Sequence, residues 1–223
     1  MRVELDAVTK GGAFAPLSLS FESGGARLAA AETEQRPTVL GLIASGRMRP
    51  DAGQVLLDGA ADRYDDLRRR VALLDAPAVC DPAPDVPTWA VVAEELMFAG
   101  RRSDRIAARR FLSEHFMDIP ARAPIADVAP DDRIRLFMEL ATLRPGVEGL
   151  VLVSPDRHGG SPLDWWRVAE EFGHRGLAVL VIAGGASAVV LEHTATRAEP
   201  SESGPPPTAR PRRALIEKEE GRR

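Results

Sequence analysis

A chain of 223 residues and 24.0 kDa can bury the core of one domain, with room for a small inserted subdomain. Its net charge of −4, with acids and bases interleaved along most of its length, excludes the concentrated basic face of a nucleic-acid binder. The lone cysteine, Cys80, excludes an intrachain disulfide and a thiolate metal cluster. The four histidines (His115, His158, His174, His193) show no ligand spacing, so no metal is expected.

The first 30 residues read as short strands. Val3, Leu5 and Ala7 alternate with polar positions, Leu17, Leu19 and Phe21 repeat the pattern, and Ala26 to Ala30 follow a Ser23-Gly24-Gly25 turn. A helix is predicted from Pro37, tolerated in a first turn, to Ser45, with Gly46 as its stop. Val55 to Leu57 reads as a strand, Tyr64 to Arg70 as a short polar helix and Val71 to Leu74 as a buried strand. A Pro-rich loop, Asp75 to Pro87, holds Cys80.

The next helix, about Trp89 to Phe98, is expected to bury Ala90, Ala93, Leu96 and Met97. An Arg- and Ala-rich helix covers 103 to 117, with Ile106, Phe111, Leu112 and Phe116 apolar. Prolines at 120, 124 and 130 make that stretch a loop, and a third helix, Arg133 to Leu143, carries Ile134, Phe137, Met138 and Ala141 as its core stripe. Gly149 to Val153 and Ala178 to Ile182 are short, wholly apolar runs, the mark of parallel strands covered on both faces. Leu163 to Gly173 supplies the crossover helix between them. Its adjacent Trp165 and Trp166 cannot both face inward. From about Glu199 the chain turns to Pro, Ser, Glu and Arg and is expected to be a disordered tail.

This order of elements resembles the ATP-binding domain of ABC transporters over about residues 1 to 198. The phrase that carries the likeness is Leu42-Ile43-Ala44-Ser45-Gly46-Arg47-Met48-Arg49-Pro50-Asp51-Ala52-Gly53-Gln54-Val55-Leu56-Leu57-Asp58-Gly59. The resemblance implies an α/β fold with a P-loop NTPase-like core, N-terminal antiparallel strands and a reduced helical subdomain at about 84–130.

It also implies an ATP site whose chemistry this sequence does not supply. The chain holds 27 arginines but only two lysines, Lys10 and Lys218, neither at the phosphate-binding position. The stretch matching the phosphate loop, Ala31-Glu32-Thr33-Glu34-Gln35-Arg36-Pro37-Thr38-Val39, has no glycine to curl around a phosphate, two carboxylates to repel it, and Pro37 in place of the lysine. Thr38 keeps the magnesium-ligand position. Ala76 stands at the Gln-loop position, beside Asp75.

The signature segment becomes Val128-Ala129-Pro130-Asp131-Asp132. Val153 and Ser154 replace the metal-linked Asp and the water-polarising Glu, with Asp156 beyond them. Gly184 replaces the switch histidine, and His158 reads as an exposed loop residue. Phe14 is the nearest aromatic in sequence for an adenine ring, though local packing is the better account of it.

The expectation is a degenerate cassette that does not hydrolyse ATP, with no cofactor expected and weak ATP and Mg²⁺ binding left open. As implied by the resemblance, its partner is an integral membrane permease, gripped by a surface from about 76 to 125 that includes Trp89, Leu96, Met97 and Phe98. A homodimer or a heterodimer with an intact ABC ATPase stays open. So does an atypical hydrolase built from Arg36, Thr38, Asp75 and Asp156. With no signal-type leader and no run of 18 apolar residues, the expected location is the cytoplasm, peripheral to the membrane's inner face. Arg210, Arg212 and Arg213 in the tail offer weak contact with anionic lipid.

Overall fold

The computed structural model describes residues 1–13, 15–32, 36–116 and 118–198. Phe14, Thr33 to Gln35 and the tail lie outside the described residues. The strands form two sheets. One is antiparallel, in the order β2-β1-β4-β5, from β1 (Arg2–Thr9), β2 (Leu17–Glu22), β4 (Ala52–Leu57) and β5 (Ala60–Ala61). The other is parallel, in the order β3-β8-β7-β6, from β3 (Gly25–Ala30), β6 (Val71–Leu74), β7 (Gly149–Val153) and β8 (Ala178–Ala183). The third N-terminal strand thus leaves its neighbours and joins the parallel sheet, beside β8.

Every residue of β6, β7 and β8 is buried, because both faces of this sheet are covered. On one face Val151, Val153, Leu180 and Ile182 meet Leu40 and Ile43 of α1 (Arg36–Ala44), α2 (Tyr64–Arg70) through Leu67, and the antiparallel sheet through Val3, Leu5 and Val55. On the other face Leu150, Leu152, Val179 and Val181 meet α5 (Pro130–Thr142) through Ile134 and Met138, and α6 (Pro162–His174) through Trp165 and Phe172. A third core joins α3 (Thr88–Phe98) and α4 (Arg105–His115) to α5 through Leu136, Phe137 and Leu140. Helix α5 therefore serves two cores, and the small helical unit hangs from it. α7 (Gly185–Ala198) ends the described chain, and no described helix is long and apolar enough to cross a membrane.

Several expectations need correction. α5 begins at Pro130, three residues before the expected Arg133, because proline fits a first helical position whose N–H needs no acceptor. α3 turns Val91, Val92 and Leu96 inward and leaves Met97 55% and Phe98 56% exposed, so Met97 is not core. Ile106 in α4 is 73% exposed. The two tryptophans divide as expected: Trp165 is buried and Trp166 half-buried. α7 has no counterpart among the sequence-derived elements.

The antiparallel sheet contains a bulge at the middle of β1, where pairing slips between Leu5 and Val8 on one side and between Asp6 and Thr9 on the other. Ala7 takes φ 46° there, and Gly53 lies opposite with φ +78°. A Cβ on Gly53 would stand 2.4 Å from the carbonyl oxygens of Asp6 and Ala7, with no side chain to move aside. Gly53→Ala should therefore cost on the order of 1–3 kcal/mol. A thermal melt should show it as a fall of roughly 2–4 °C per kcal/mol, and an unchanged melting temperature would refute the reading.

Candidate functional site

The four parallel strands deliver their carboxyl ends to one edge, the place where open α/β sheets bind ligands. Two of these ends are strained. Asp75 after β6 has φ 54° and Ser154 after β7 has φ 49°, left-handed values that non-glycine residues adopt at a cost of order 1–3 kcal/mol. Surrounding bonds hold both. The Ser154 N–H donates to the Ile182 carbonyl at 2.7 Å, and Asp75 sits in an ion cage.

The Asp75 side chain is fully buried. Arg133, on the first turn of α5 and itself buried, donates through Nη2 to Oδ1 at 2.8 Å and through Nε to Oδ2 at 3.3 Å. Arg157, from the 3₁₀ turn Pro155–His158, places Nη2 2.9 Å from Oδ1 and 2.9 Å from the Asp75 carbonyl oxygen. His158 Nε2 lies 2.7 Å from Oδ2. Burial raises the Asp75 pKa, but the hydrogen bonds from His158 and Arg133 and the charges of Arg133 and Arg157 outweigh it and hold the value at about 2.

The carboxylate is thus ionised and can only accept, which assigns the imidazole proton to Nε2. Arg157 Nε, 3.0 Å from the same nitrogen, then gains no acceptor there, and its Nη groups carry the contact. Its Nη1 also reaches Asp81 at 3.2 Å, while Arg133 Nη1 donates to the Ile125 carbonyl at 3.0 Å. Two guanidiniums face two carboxylates, so the charges of the cage balance without the imidazole. His158 is accordingly half-buried and structural, a correction to its reading as an exposed loop residue.

At the β8 end two further carboxylates converge on the start of α7. Asp156 Oδ2 accepts the Gly184 N–H at 2.8 Å and lies 3.4 Å from the Ser187 hydroxyl. Glu32, just past β3, accepts the Gly185 N–H through Oε1 at 3.0 Å. Helix N-termini attract anions, and here the chain's own carboxylates fill that role. Glycine permits the approach: a Cβ at Gly184 would lie 2.9 Å from Asp156 Oδ2, and one at Gly185 would lie 2.5 Å from Glu32 Oε1. These two bonds hold the start of a helix that the sequence reading did not include.

The remaining positions gather around this edge. Ala76 is buried, and its carbonyl accepts the N–H groups of Val79, Cys80 and Asp81, winding the loop tightly. Cys80 is exposed at the residue level, yet its sulfur lies 3.4 Å from the Ala76 nitrogen, and desolvation raises its pKa. Thr38 offers its hydroxyl to the Pro77 carbonyl over a long 3.5 Å; Arg36 is exposed and Pro37 buried. Ala31 is tied to the sheet by its N–H to the Ala183 carbonyl at 2.9 Å, and Val39 is half-buried. Val153 packs against α1 at Gly41, where an added Cβ would meet its Cγ2 at 2.7 Å.

Val128 is buried, Ala129 exposed, and Pro130, Asp131 and Asp132 form the first turn of α5. Desolvation, then repulsion from Asp131 and Asp118, raises the Asp132 pKa. Between this turn and the cage opens a cleft of about 460 Å³ lined by Asp81, Pro84, Val128, Arg133, Arg157 and His158. Among the described residues no group of three His, Cys, Asp or Glu side chains is placed to hold a metal.

Neither a family model nor a curated protein matches the sequence. Solved structures do. A dimeric bacterial ABC transporter cassette aligns with a TM-score of 0.60 at 16% identity, over 82% of this chain and 88% of that one. A putative ABC transporter ATP-binding protein from Pyrococcus furiosus aligns with a TM-score of 0.57 at 11% identity, over 82% and 92%. An ATP-binding subunit of an ABC transporter gives 0.54 at 15% identity, over 85% and 82%. The fold is that of an ABC-type ATP-binding cassette. At these identities the likeness is one of fold.

Within this cassette fold the positions singled out in sequence do converge: Glu32, Ala76, Ser154 and Gly184 sit at the ends of four adjacent strands. The residues that sequence reasoning missed are Arg133 and Arg157, with His158 in its true role. One signal was available. Arg133 lies four residues before Phe137 on the core face of α5, its guanidinium 4.9 Å from that ring, and an arginine on an apolar face requires a buried acid. Asp75, directly after an all-apolar strand, is the fitting partner. A polyphosphate brought to the start of α7 would meet the Glu32 and Asp156 carboxylates, which already accept from the Gly185 and Gly184 N–H groups.

Proposed function

We propose that the chain is an ABC-type cassette without nucleotide hydrolysis, working as a binding or scaffolding component docked to an integral membrane permease. The observation that carries this reading is the pair of carboxylates, Asp156 and Glu32, seated on the Gly184 and Gly185 N–H groups. Displacing them would cost two charge-assisted hydrogen bonds before either of these N–H groups could donate to a phosphate. Val153 and Ser154 stand where this fold's metal ligand and base would be, and neither side chain can perform that chemistry.

The docking surface we assign lies between α3 and the loop after β6, a cleft of about 420 Å³ lined in part by Val79, Cys80, Glu94, Phe98 and Arg144. Arg144 pairs with Glu95 beneath it and lies over the Phe98 ring at 5.2 Å. This gives a half-apolar, half-charged groove at the cytoplasmic face of the proposed complex. A second reading, association with another cassette, draws on the dimeric state of the first of the similar structures.

Calorimetric titration of the purified chain with ATP and magnesium should give no binding heat, and phosphate release should stay at background. Magnesium-dependent turnover that disappears in Thr38→Ala or Asp156→Ala would replace this proposal with an atypical hydrolase. Co-purification of a multispanning membrane protein that weakens on Phe98→Ser would support the docking surface.

A further inference from the structure

The helical unit carries a charge excess that the rest of the chain does not. Residues 101–122 hold six arginines against three carboxylates, Asp104, Glu114 and Asp118, in a chain of net charge −4. Asp104 is committed to the start of α4, accepting the N–H groups of Ile106 and Ala107 at 2.9 Å each, and to Arg102. Glu114 pairs with Arg110. Among the described residues Arg101, Arg105, Arg109 and Arg122 form no ion pair.

The Arg105 guanidinium lies over the Trp89 ring, 4.9 Å from its centroid, a cation–π contact that restrains its position. Desolvation, then repulsion from Arg105 and Arg122, lowers the Arg109 pKa. Arg105 and Arg122 thus act on Arg109 as like charges, a cost that an incoming anion would relieve.

Apolar surface accompanies the charge. Ile106, on the outer turn of α4, is 73% exposed, more than any other described large apolar side chain. Beside it a shallow depression of about 350 Å³ is lined in part by Arg101, Arg102, Arg110, Phe111 and His115, with Glu114 the one carboxylate among its lining residues. Guanidinium forks match phosphate oxygens, and a branched aliphatic side chain ringed by arginines suits the boundary between headgroups and acyl chains.

We propose that the outer face of α4 is a membrane-surface contact that binds the phosphodiester headgroups of anionic phospholipid, independently of nucleotide or any permease. An acidic protein segment would satisfy the arginines but give Ile106 no apolar neighbour, so lipid accounts for more of this face.

The test is flotation of the full-length chain with phosphatidylcholine vesicles that contain phosphatidylglycerol, compared with phosphatidylcholine alone. Binding should require the anionic lipid and fall as salt rises. The triple variant Arg105→Gln/Arg109→Gln/Arg122→Gln should weaken partitioning about a hundredfold, roughly fivefold per charge removed. Ile106→Ser should weaken the binding that survives high salt. Each variant should keep the parent circular dichroism spectrum, which separates lost binding from lost folding. Substituting the tail, Arg210→Gln/Arg212→Gln/Arg213→Gln, should leave partitioning unchanged. The proposal fails if anionic vesicles recover no protein, if neutral vesicles bind equally, or if the tail substitutions alone abolish binding. Retention on a polyglutamate resin without flotation would assign the face to an acidic protein instead.

Discussion

Asp75→Ala should destabilise the protein by about 3–5 kcal/mol, the usual cost of removing one partner from a buried ion pair. Arg133 would keep its charge at 4% side-chain exposure with no carboxylate to meet it. Arg157 is 25% exposed and can turn toward Asp81, so the loss falls mainly on Arg133. At roughly 2–4 °C per kcal/mol for a chain of this size, the melting temperature should drop by about 6–20 °C.

Acid titration gives an independent check. The Asp75 pKa is lowered from 3.8 to about 2 by folding, so its contribution is fully present above the unfolded value and is lost as pH falls toward the folded one. Wild type and Asp75→Ala should therefore converge between about pH 4 and pH 2. The converging part should be on the order of 2 kcal/mol. The paired replacement Asp75→Leu/Arg133→Met should recover most of the stability lost in Asp75→Ala, since a packed apolar pair often matches a buried ion pair. A parent-like melting temperature for Asp75→Ala would mean the cage contributes nothing.

Trp165→Ala should cost about 3–5 kcal/mol. The ring is 1% exposed and fills the space between α6 and the sheet, against the cluster formed by Phe172, Leu150 and Val179. Among the described residues its indole N–H finds no hydrogen-bond partner, a burial penalty of about 1–3 kcal/mol that the native fold already carries. Trp165→Phe removes that penalty along with part of the ring. It should therefore melt within a few degrees of the parent while the alanine variant melts far below it. Equal losses in the two variants would show that the N–H carries no penalty. Chemical denaturation followed by circular dichroism separates these outcomes.

The parallel sheet was legible because Gly149 to Val153 and Ala178 to Ile182 are apolar throughout. A strand with one wet face would alternate, and an amphipathic helix would break the run within a turn. Helices with polar flanks, such as Tyr64–Arg70, could be bounded from local composition alone. α7 could not, because its first N–H groups are satisfied by Glu32 and Asp156, which approach from distant points in the sequence. The same limit hid the cage. Asp75, Arg133 and His158 are separated by 58 and 83 positions from the carboxylate outward, and no local periodicity links residues so far apart. The resemblance marks Ala76, Val153, Ser154 and Gly184 as expected losses; what surrounds them at the sheet edge became visible only in three dimensions. Met97 illustrates the reverse error, an apolar residue assigned inward by type when the face of α3 turns it to solvent.

Helix α5 contributes side chains to the sheet's core and to the helical core, and its first turn is fastened to the β6 end through Arg133. A force applied to the far tip of α3 and α4 would thus reach the strand termini almost undamped, as a load borne by one girder. Whatever grips that tip also grips the whole molecule.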